Sequence, residues 1–356
     1  MELPPFIKIH GRGSRNNPPN RFEKIEIIPD YEHLEFLEDE LPSPKTVFLR
    51  DETKTILAKN DSPDIPFTYS VNPYRGCEHG CSYCYARPTH EYLGLSAGLD
   101  FETKIFVKER APELLAERLM APSWKPEPIA LSGVTDCYQP AERKFRLTRG
   151  CLEILARFKN PAIIITKNSL VVRDLDILES LSSFDGVLVM ISVTTLDENL
   201  CGIMEPRTSR PQGRLRAIEA LTARGIKVGV NVAPVIPGLT EHEMPKILEA
   251  AAETGAVCAG YVPLRLPWAV LPLFTQWLEE HFPDRKEKVL NHIRDFRGGA
   301  LNDPNFGSRM RGQGVYSDNL NRMFHLYCKR YKLNQRDTNL NSSLSIRPSD
   351  QLSFDF

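Results

Sequence analysis

From about residue 67 onward, short apolar runs alternate with longer segments of helical period. The runs Phe67–Val71, Ile129–Val134, Ala162–Thr166, Val187–Val193, Val228–Pro234 and Cys258–Val262 predict strands. Between them, the segments near 109–120, 146–158, 173–183, 212–224 and 241–254 predict helices. The last of these carries Thr240 followed three residues later by Glu243, the pattern of a capping box. Strands this continuous in Val, Ile, Leu and Ala are buried on both faces, as in a parallel sheet. Repeated strand–helix units predict an α/β domain with right-handed crossovers. The pattern alone leaves open whether the sheet stays flat or curls into a partly closed barrel.

The ends of the chain have a different texture. Residues 1–66 are rich in Pro, Asn and charge, with a basic start (Lys8, Arg12, Arg15, Arg21, Lys24), and predict an irregular arm. The strand–helix region is expected to fill 67–285, ending with a helix near 272–282. Residues 286–332 then predict an Arg/Gly-rich loop, RDFRGGALNDPNFGSRMRGQG, and one more helix near 318–331. Residues 333–356, dominated by Asn, Ser, Asp and Gln, are expected to be a disordered tail.

Composition narrows the class. The 356 residues are 41% hydrophobic and 26% charged, with a formal net charge of −1. No run approaches the ~18 apolar residues of a membrane span. The start, MELPPFIKIHGRG, has no apolar core of a signal peptide, so a cytoplasmic location is expected. In a reducing compartment, eight cysteines in a chain this long do not read as a disulfide scaffold. Cys137, Cys151, Cys201, Cys258 and Cys328 are scattered, as small core residues would be. Cys77, Cys81 and Cys84 are crowded into one loop, NPYRGCEHGCSYCYARP, with C-x3-C-x2-C spacing.

That loop follows the first strand, and parallel α/β folds bind ligands at the carboxyl ends of their strands. Thiolates favour iron–sulfur clusters and zinc. Three thiolates leave one position of a four-metal cluster open, as a catalytic site requires. The competing assignment is structural zinc with His79 as fourth ligand. His79 lies two residues from both Cys77 and Cys81, a span too cramped for ordinary zinc spacing.

A C-x3-C-x-aromatic-C loop after the first strand of a six-unit α/β domain, with Tyr83 at the aromatic position, resembles the radical S-adenosylmethionine (SAM) superfamily. The double tyrosine of CSYCYA, the TD of SGVTDCYQP, the ITK at 165–167 and the ISVTT at 191–195 are similar to its spore photoproduct lyase-related branch. The stretch from ARPTHEYLGLSAGLDFE to GSRMRG looks like an uncharacterised bacterial group within that branch. The resemblance implies a partial (β/α)6 TIM-type barrel and a [4Fe-4S] cluster bound by Cys77, Cys81 and Cys84. The open iron would chelate SAM, whose reductive cleavage gives a 5′-deoxyadenosyl radical for hydrogen abstraction. An electron donor such as a flavodoxin or ferredoxin is implied. By position, Tyr83 would lie beside the adenine, with Thr135 and Asp136 at the methionine end. Lys167 would face the carboxylate, and Ser192 the ribose or carboxylate. Lysine is almost never buried without a partner, which singles out Lys167 directly after AIIIT.

One departure concerns the reaction itself. Spore photoproduct lyases carry a hydrogen-returning cysteine shortly before the Ser/Thr-Asp pair, and this chain has Gly133 there. Cys137, directly after Asp136, becomes the candidate hydrogen donor, against the alternative of a buried core cysteine.

The last six residues, Gln351-Leu352-Ser353-Phe354-Asp355-Phe356, are similar to peptides that dock on the bacterial DNA sliding clamp. Gln351, Leu352, Phe354 and Phe356 would make the contacts, with Phe354 replacing the central leucine of that pattern. Arg294, Arg297, Arg309 and Arg311 would either clamp phosphates or form internal ion pairs over the barrel mouth. No P-loop, H-E-x-x-H or G-x-S-x-G occurs. The acidic pairs Asp174/Asp176 and Glu241/Glu243 fall in first helical turns and are assigned to caps. The leading expectation is radical chemistry on DNA of a repair-lyase type. The same chemistry on RNA, a protein or a small molecule, and a non-catalytic clamp-associated metal-binding protein, are the alternatives.

Overall fold

Among the described residues, ten strands form where the apolar runs and a few shorter segments predict or permit them. The computed structural model describes residues 11–23 and 44–347. In chain order the strands are β1 (Val47–Arg50), β2 (Leu57–Lys59), β3 (Tyr69–Val71), β4 (Tyr74–Arg75) and β5 (Lys104–Val107). They continue with β6 (Ile129–Leu131), β7 (Ala162–Thr166), β8 (Val187–Ser192), β9 (Lys227–Val235) and β10 (Cys258–Pro263).

The larger sheet has the order β10-β9-β8-β7-β6-β3-β2. The pairings from β3 through β10 are all parallel, and β2 is antiparallel on β3. Six parallel strands thus lie in chain order with open edges, the arrangement of a partial (β/α)6 barrel that is not closed. Between them run the helices Ala111–Met120, Leu147–Arg157, Leu175–Ser182, Pro211–Thr222 and Met244–Glu253, followed by Val270–His281.

Alternation along each strand decides what faces what. Ile129, Leu131, Ala162, Ile164, Val187, Val189, Val228 and Val230 are fully buried in one apolar cluster with Leu152, Leu155, Leu178, Ile218 and Leu248 of the helices. Each such Val, Leu or Ile side chain contributes about 1.5–3 kcal/mol by leaving water. Ile163, Ile165, Leu188, Met190 and Asn231 alternate with them on a half-buried face. That second face keeps partial exposure to solvent.

Several expectations are corrected. The segment 1–66 is not irregular throughout: β1 pairs with β5, which also pairs with β4, making a small sheet beneath the cysteine loop. Residues 286–332 hold a further helix, Lys286–Phe296, whose Val289, Leu290, Ile293 and Phe296 are buried. The described part of the tail, 333–347, is packed rather than disordered. Its polar composition hides specific anchors: Leu333 is buried, and Asn334 hydrogen-bonds both the N–H and the carbonyl of Ala259. Ile346 N–H then reaches the Phe158 carbonyl (2.9 Å), and Arg347 reaches that of Trp124 (2.9 Å). The tail therefore crosses under the amino ends of the strands, opposite the cysteine loop.

The capping box does not form. The Thr240 hydroxyl accepts from Ile236 N–H, and Glu243 instead caps Thr195 and Leu196 of a neighbouring loop (2.6 and 2.7 Å). Asp174 is likewise no cap: it is buried against Tyr138, Arg149 and Arg173. Asp176 pairs with Arg149 at 2.7 Å.

Candidate functional site

The cysteine loop leaves β4 at the carboxyl end of the first parallel strand, and its backbone is fixed from all sides. Gly76 and Gly80 take positive φ values of 81° and 66°. A Cβ at Gly80 would stand 2.6 Å from the Glu102 carboxylate, so only glycine fits there. Cys77 N–H donates to the Phe101 carbonyl (2.9 Å), and Ser82 N–H to that of Met204 (3.0 Å). Gln139 spans the loop, accepting from Glu78 N–H (2.9 Å) and donating to the Gly76 carbonyl (3.0 Å).

Arg87 is wholly buried beneath the loop. Its guanidinium donates twice to the Cys81 carbonyl (3.0 and 2.8 Å) and pairs with Glu102 at 2.5 Å. Glu102 also accepts from Gly13 N–H (2.9 Å), and Arg12 donates to the Glu102 carbonyl (3.0 Å). The amino-terminal segment thus clamps the loop from outside.

All three loop cysteines are free thiols; Cys77 and Cys81 are buried, Cys84 partly so. Burial is the largest cause raising the pKa of each; the Cys84 charge adds to the rise at Cys77 and Cys81, and that of Cys77 to the rise at Cys81. Against that burial, the backbone N–H groups of Asp136 and His79 act to lower the Cys77 pKa, and that of Ala86 the Cys84 pKa. Binding of a metal cluster by these cysteines would release the thiol protons. Among the described residues, no three His, Cys, Asp or Glu converge tightly enough for a single metal ion. His79 is buried with its ring nitrogens against Asp136 (3.4 Å) and Asn168 (3.1 Å), so neither is free for a metal.

The residues expected to contact SAM fall into two linked groups. Asp136 follows β6 and accepts from Lys167 N–H (2.7 Å), Thr166 (2.7 Å) and Tyr138 N–H (2.8 Å). Burial would raise its pKa, but His79 and these hydrogen bonds outweigh that and hold it below the ordinary value. Thr135 is buried beside it, its hydroxyl on the Tyr74 carbonyl (3.0 Å). Lys167 follows β7. Its ammonium donates to the Ala233 carbonyl (2.6 Å) and Thr194 (3.2 Å), and stands 5.7 Å from the Tyr83 ring centre. Ser192 ends β8, buried, its carbonyl accepting from Arg214 (2.9 Å).

Glu205 joins the second group together, and the sequence did not reveal it. It is fully buried, pairs with Arg214, accepts from Tyr83 and Thr194, and lies 3.4 Å from the Lys167 ammonium. Burial opposes its ionisation, yet Arg214, Lys167 and the hydroxyl donors hold its pKa well below the usual range. Its ligands come from four separate segments, so spacing along the chain carried no signal beyond the unusual EPR after a short helix.

Cys137 is not gathered into the site. It is fully buried in the apolar core, where desolvation first, then Asp136 and Glu142, push its thiol pKa up. Tyr85, half exposed, does reach the mouth: its hydroxyl donates to the Gly133 carbonyl at 2.6 Å. The basic loop is mostly internal. Arg309 pairs with Asp64 (2.6 Å), Arg297 donates to carbonyls of Leu264 and Arg309, and Arg294 bonds Asn291. Gln351, Leu352, Phe354 and Phe356 lie outside the described residues.

With this geometry in place, comparison gives the class. A family model described as Radical SAM superfamily matches residues 71–251, and the chain belongs to that superfamily. Its enzymes use a [4Fe-4S] cluster and SAM. An uncharacterized protein of Mycobacterium tuberculosis is 37% identical over 69% of this chain and 72% of its own. One of Methanocaldococcus jannaschii is 29% identical over 63% of this chain and 80% of its own. In fold, the chain is similar to spore photoproduct lyase complexed with dinucleoside spore photoproduct, with a TM-score of 0.58 and 16% identity over 82% of this chain and 80% of that one. A variant of that lyase with bound AdoMet and the same dinucleoside gives 0.54, with the same identity and coverage. Among the described residues no helix is long and apolar enough to cross a membrane.

Proposed function

We propose that Cys77, Cys81 and Cys84 hold a [4Fe-4S] cluster with one open iron, and that the chain uses it to cleave SAM reductively and act on DNA. The observation that carries this reading is the gathering of three free thiols in one rigid loop at the strand ends, beside Lys167 and Tyr83. When bound, the cluster and SAM supply a 5′-deoxyadenosyl radical able to abstract hydrogen from a substrate. The protein's part is positioning and exclusion of water.

Lys167 would meet the SAM carboxylate. The Ala233 carbonyl and Thr194 fix its ammonium in advance, so little side-chain entropy is lost on binding. Tyr83 is steadied through its hydroxyl by Glu205 and Thr194. Asp136 ties the loop after β6 to the start of the loop after β7, while Thr135 and Ser192 flank the same strand ends.

DNA as substrate is supported by the likeness in fold to a lyase complexed with a dinucleoside lesion. Gly133 stands where such lyases are expected to carry a cysteine, so in this chain the hydrogen returns from another donor. The reaction would run in the cytoplasm with a flavodoxin or ferredoxin, and residues 351–356 would dock on the DNA sliding clamp. Deleting 351–356 should abolish clamp pull-down; retained binding would remove the docking role.

The deciding test is anaerobic reconstitution with iron and sulfide, followed by EPR with and without SAM and assay of 5′-deoxyadenosine. A [4Fe-4S] signal perturbed by SAM and absent in Cys81→Ala is expected. Stoichiometric zinc and no cluster would overturn the reading.

A further inference from the structure

Five large aromatic side chains are exposed among the described residues: Phe22, Tyr85, Tyr92, Trp268 and Phe306. Singly, exposed apolar residues need no explanation. These fall into groups that meet along the loop 265–268. Phe22 stacks on Tyr92 with ring centres 4.8 Å apart, and the Arg21 guanidinium lies 5.0 Å from Phe22 and 4.3 Å from Trp268. Three residues before Trp268 in the same loop, Arg265 lies 5.7 Å over the ring of Tyr85, which directly follows Cys84. Arg309, a charged neighbour of Arg265, covers Phe306 at 4.3 Å.

The ribbon is built rather than incidental. Glu91 anchors Arg21 at 2.7 Å, and the Asn20 carbonyl oxygen of its amide side chain accepts from Phe22 N–H at 2.7 Å. Trp268 has φ of +46°, a left-handed conformation that a bulky residue adopts only under constraint, and it holds the indole in solvent. Arg21 and Arg309 have carboxylate partners. Arg265 has none within 4.0 Å among the described residues, and its Nε is buried without a hydrogen-bond partner.

Arginine alternating with aromatic faces is the chemistry of single-stranded nucleic acid: bases stack on the rings and phosphates meet the guanidiniums. We propose that this ribbon is a track for single-stranded or locally opened DNA, with Arg265 as its phosphate contact and Trp268 as a base-stacking platform. The proposal rests on the DNA reading above and specifies the state in which the strand enters. The track passes Tyr85, so a strand lying on it reaches the mouth beside the cysteine loop.

The test uses tryptophan emission. Trp124 and Trp277 are buried, so Trp268 alone of the three tryptophans is exposed to a stacking base. The reconstituted full chain is titrated with oligothymidylate of about 12 nucleotides, with binding followed in parallel on a labelled strand. Quenching is expected, with Trp268→Phe losing the quench but retaining affinity. Trp268→Ala and Arg265→Gln should each weaken binding about tenfold. Arg265→Gln should also flatten the slope of log K against log salt by about 0.7. Leu326→Ala, on an exposed helix face elsewhere, should bind like the parent. Cluster absorbance and the thermal midpoint confirm that each variant is folded.

Single-strand binding without quench, or unchanged in both Trp268→Ala and Arg265→Gln, would overturn the track while leaving the DNA reading standing. Tighter binding of duplex, of RNA or of a second copy of the chain would also overturn it. No DNA binding of any kind would remove both, with SAM cleavage deciding what remains of the enzyme.

Discussion

Glu205 and Glu142 are both fully buried carboxylates, each tied to an arginine and a tyrosine. Glu142 accepts from Tyr74 (2.5 Å), Thr148 N–H (3.0 Å) and Arg173 (2.8 Å), and Arg173 reaches on to Asp174. Its partners are a strand residue, a helix start and an arginine of the short 3-10 helix Ser169–Asp174, so it staples β4 to the helix Leu147–Arg157. Glu205 shares the same chemistry with different company. Two of its partners, Tyr83 and Lys167, are residues expected to meet SAM, and Tyr83 belongs to the cysteine loop. Burial, charge and pairing are alike in the two networks. What separates a staple from a site is which other side chains the carboxylate holds, and where those point.

The largest effect that breaks the comparison comes from the loop itself. Cys81→Ala should abolish the cluster signal completely, while both carboxylate networks keep the chain folded; a retained SAM-sensitive signal would mean that Cys81 is not a ligand.

Next come the two carboxylates. In Glu205→Gln, Arg214 loses the one carboxylate it pairs with among the described residues, and breaking such a buried pair costs about 3–5 kcal/mol. In Glu142→Gln, Arg173 keeps Asp174, so the loss should be nearer about 1–3 kcal/mol. Urea unfolding measures both. Only Glu205→Gln should also weaken the SAM-induced change in the EPR spectrum, because it removes the charge beside Lys167 and the carboxylate that steadies Tyr83. Equal loss of SAM response in both variants would erase the distinction between staple and site.

These networks also mark the limit of what the sequence discloses. The run AIIIT was legible to the residue as β7, because a buried parallel strand needs little besides continuous apolar character. The three cysteines stood out because they share one short segment, whatever they bind. Glu205 was not, since Tyr83, Lys167, Thr194 and Arg214 meet it only after four strands have been laid side by side. Thr240 and Glu243 satisfied a local rule, but two donors on another loop competed successfully for the carboxylate. The helix Lys286–Phe296 was hidden by charge, although Val289, Leu290, Ile293 and Phe296 keep a helical period. Likewise Asn334 and Ile346 anchor a tail whose composition reads as disordered.

A smaller effect should distinguish the back of the cysteine loop from its front. His90 is buried between Phe101 and Phe106, with Nε2 on the Lys104 carbonyl at 2.9 Å. Burial, the largest cause, lowers its pKa to about 4 from 6.5. Between those values the unfolded chain takes up a proton that the folded one refuses. Its contribution is therefore complete above pH ~6.5 and declines as pH falls towards 4, by at most about 3 kcal/mol. The difference in urea stability between the parent and His90→Gln should change with pH across that window. A pH-independent difference would place the proton uptake elsewhere.

The smallest effect concerns the two positions flanking Thr135 and Asp136. Cys137 is sealed in the core, whereas Gly133 is half buried at the mouth, its carbonyl held by Tyr85. A Cβ at Gly133 would meet Ser70 at 3.4 Å and Asn72 at 3.9 Å, ordinary contacts, and no left-handed backbone opposes a side chain there. Gly133→Cys should therefore fold with stability within about 0.5 kcal/mol of the parent. Brief alkylation of the folded protein, read by peptide mapping, should label the introduced thiol and spare Cys137. If Cys137 is labelled as fast, the core is more open than its packing shows and its assignment to structure fails. If the introduced thiol reacts and Cys137 does not, the mouth has room for a thiol where this chain has Gly133, and the absence of a cysteine there is a property of one residue rather than of the fold.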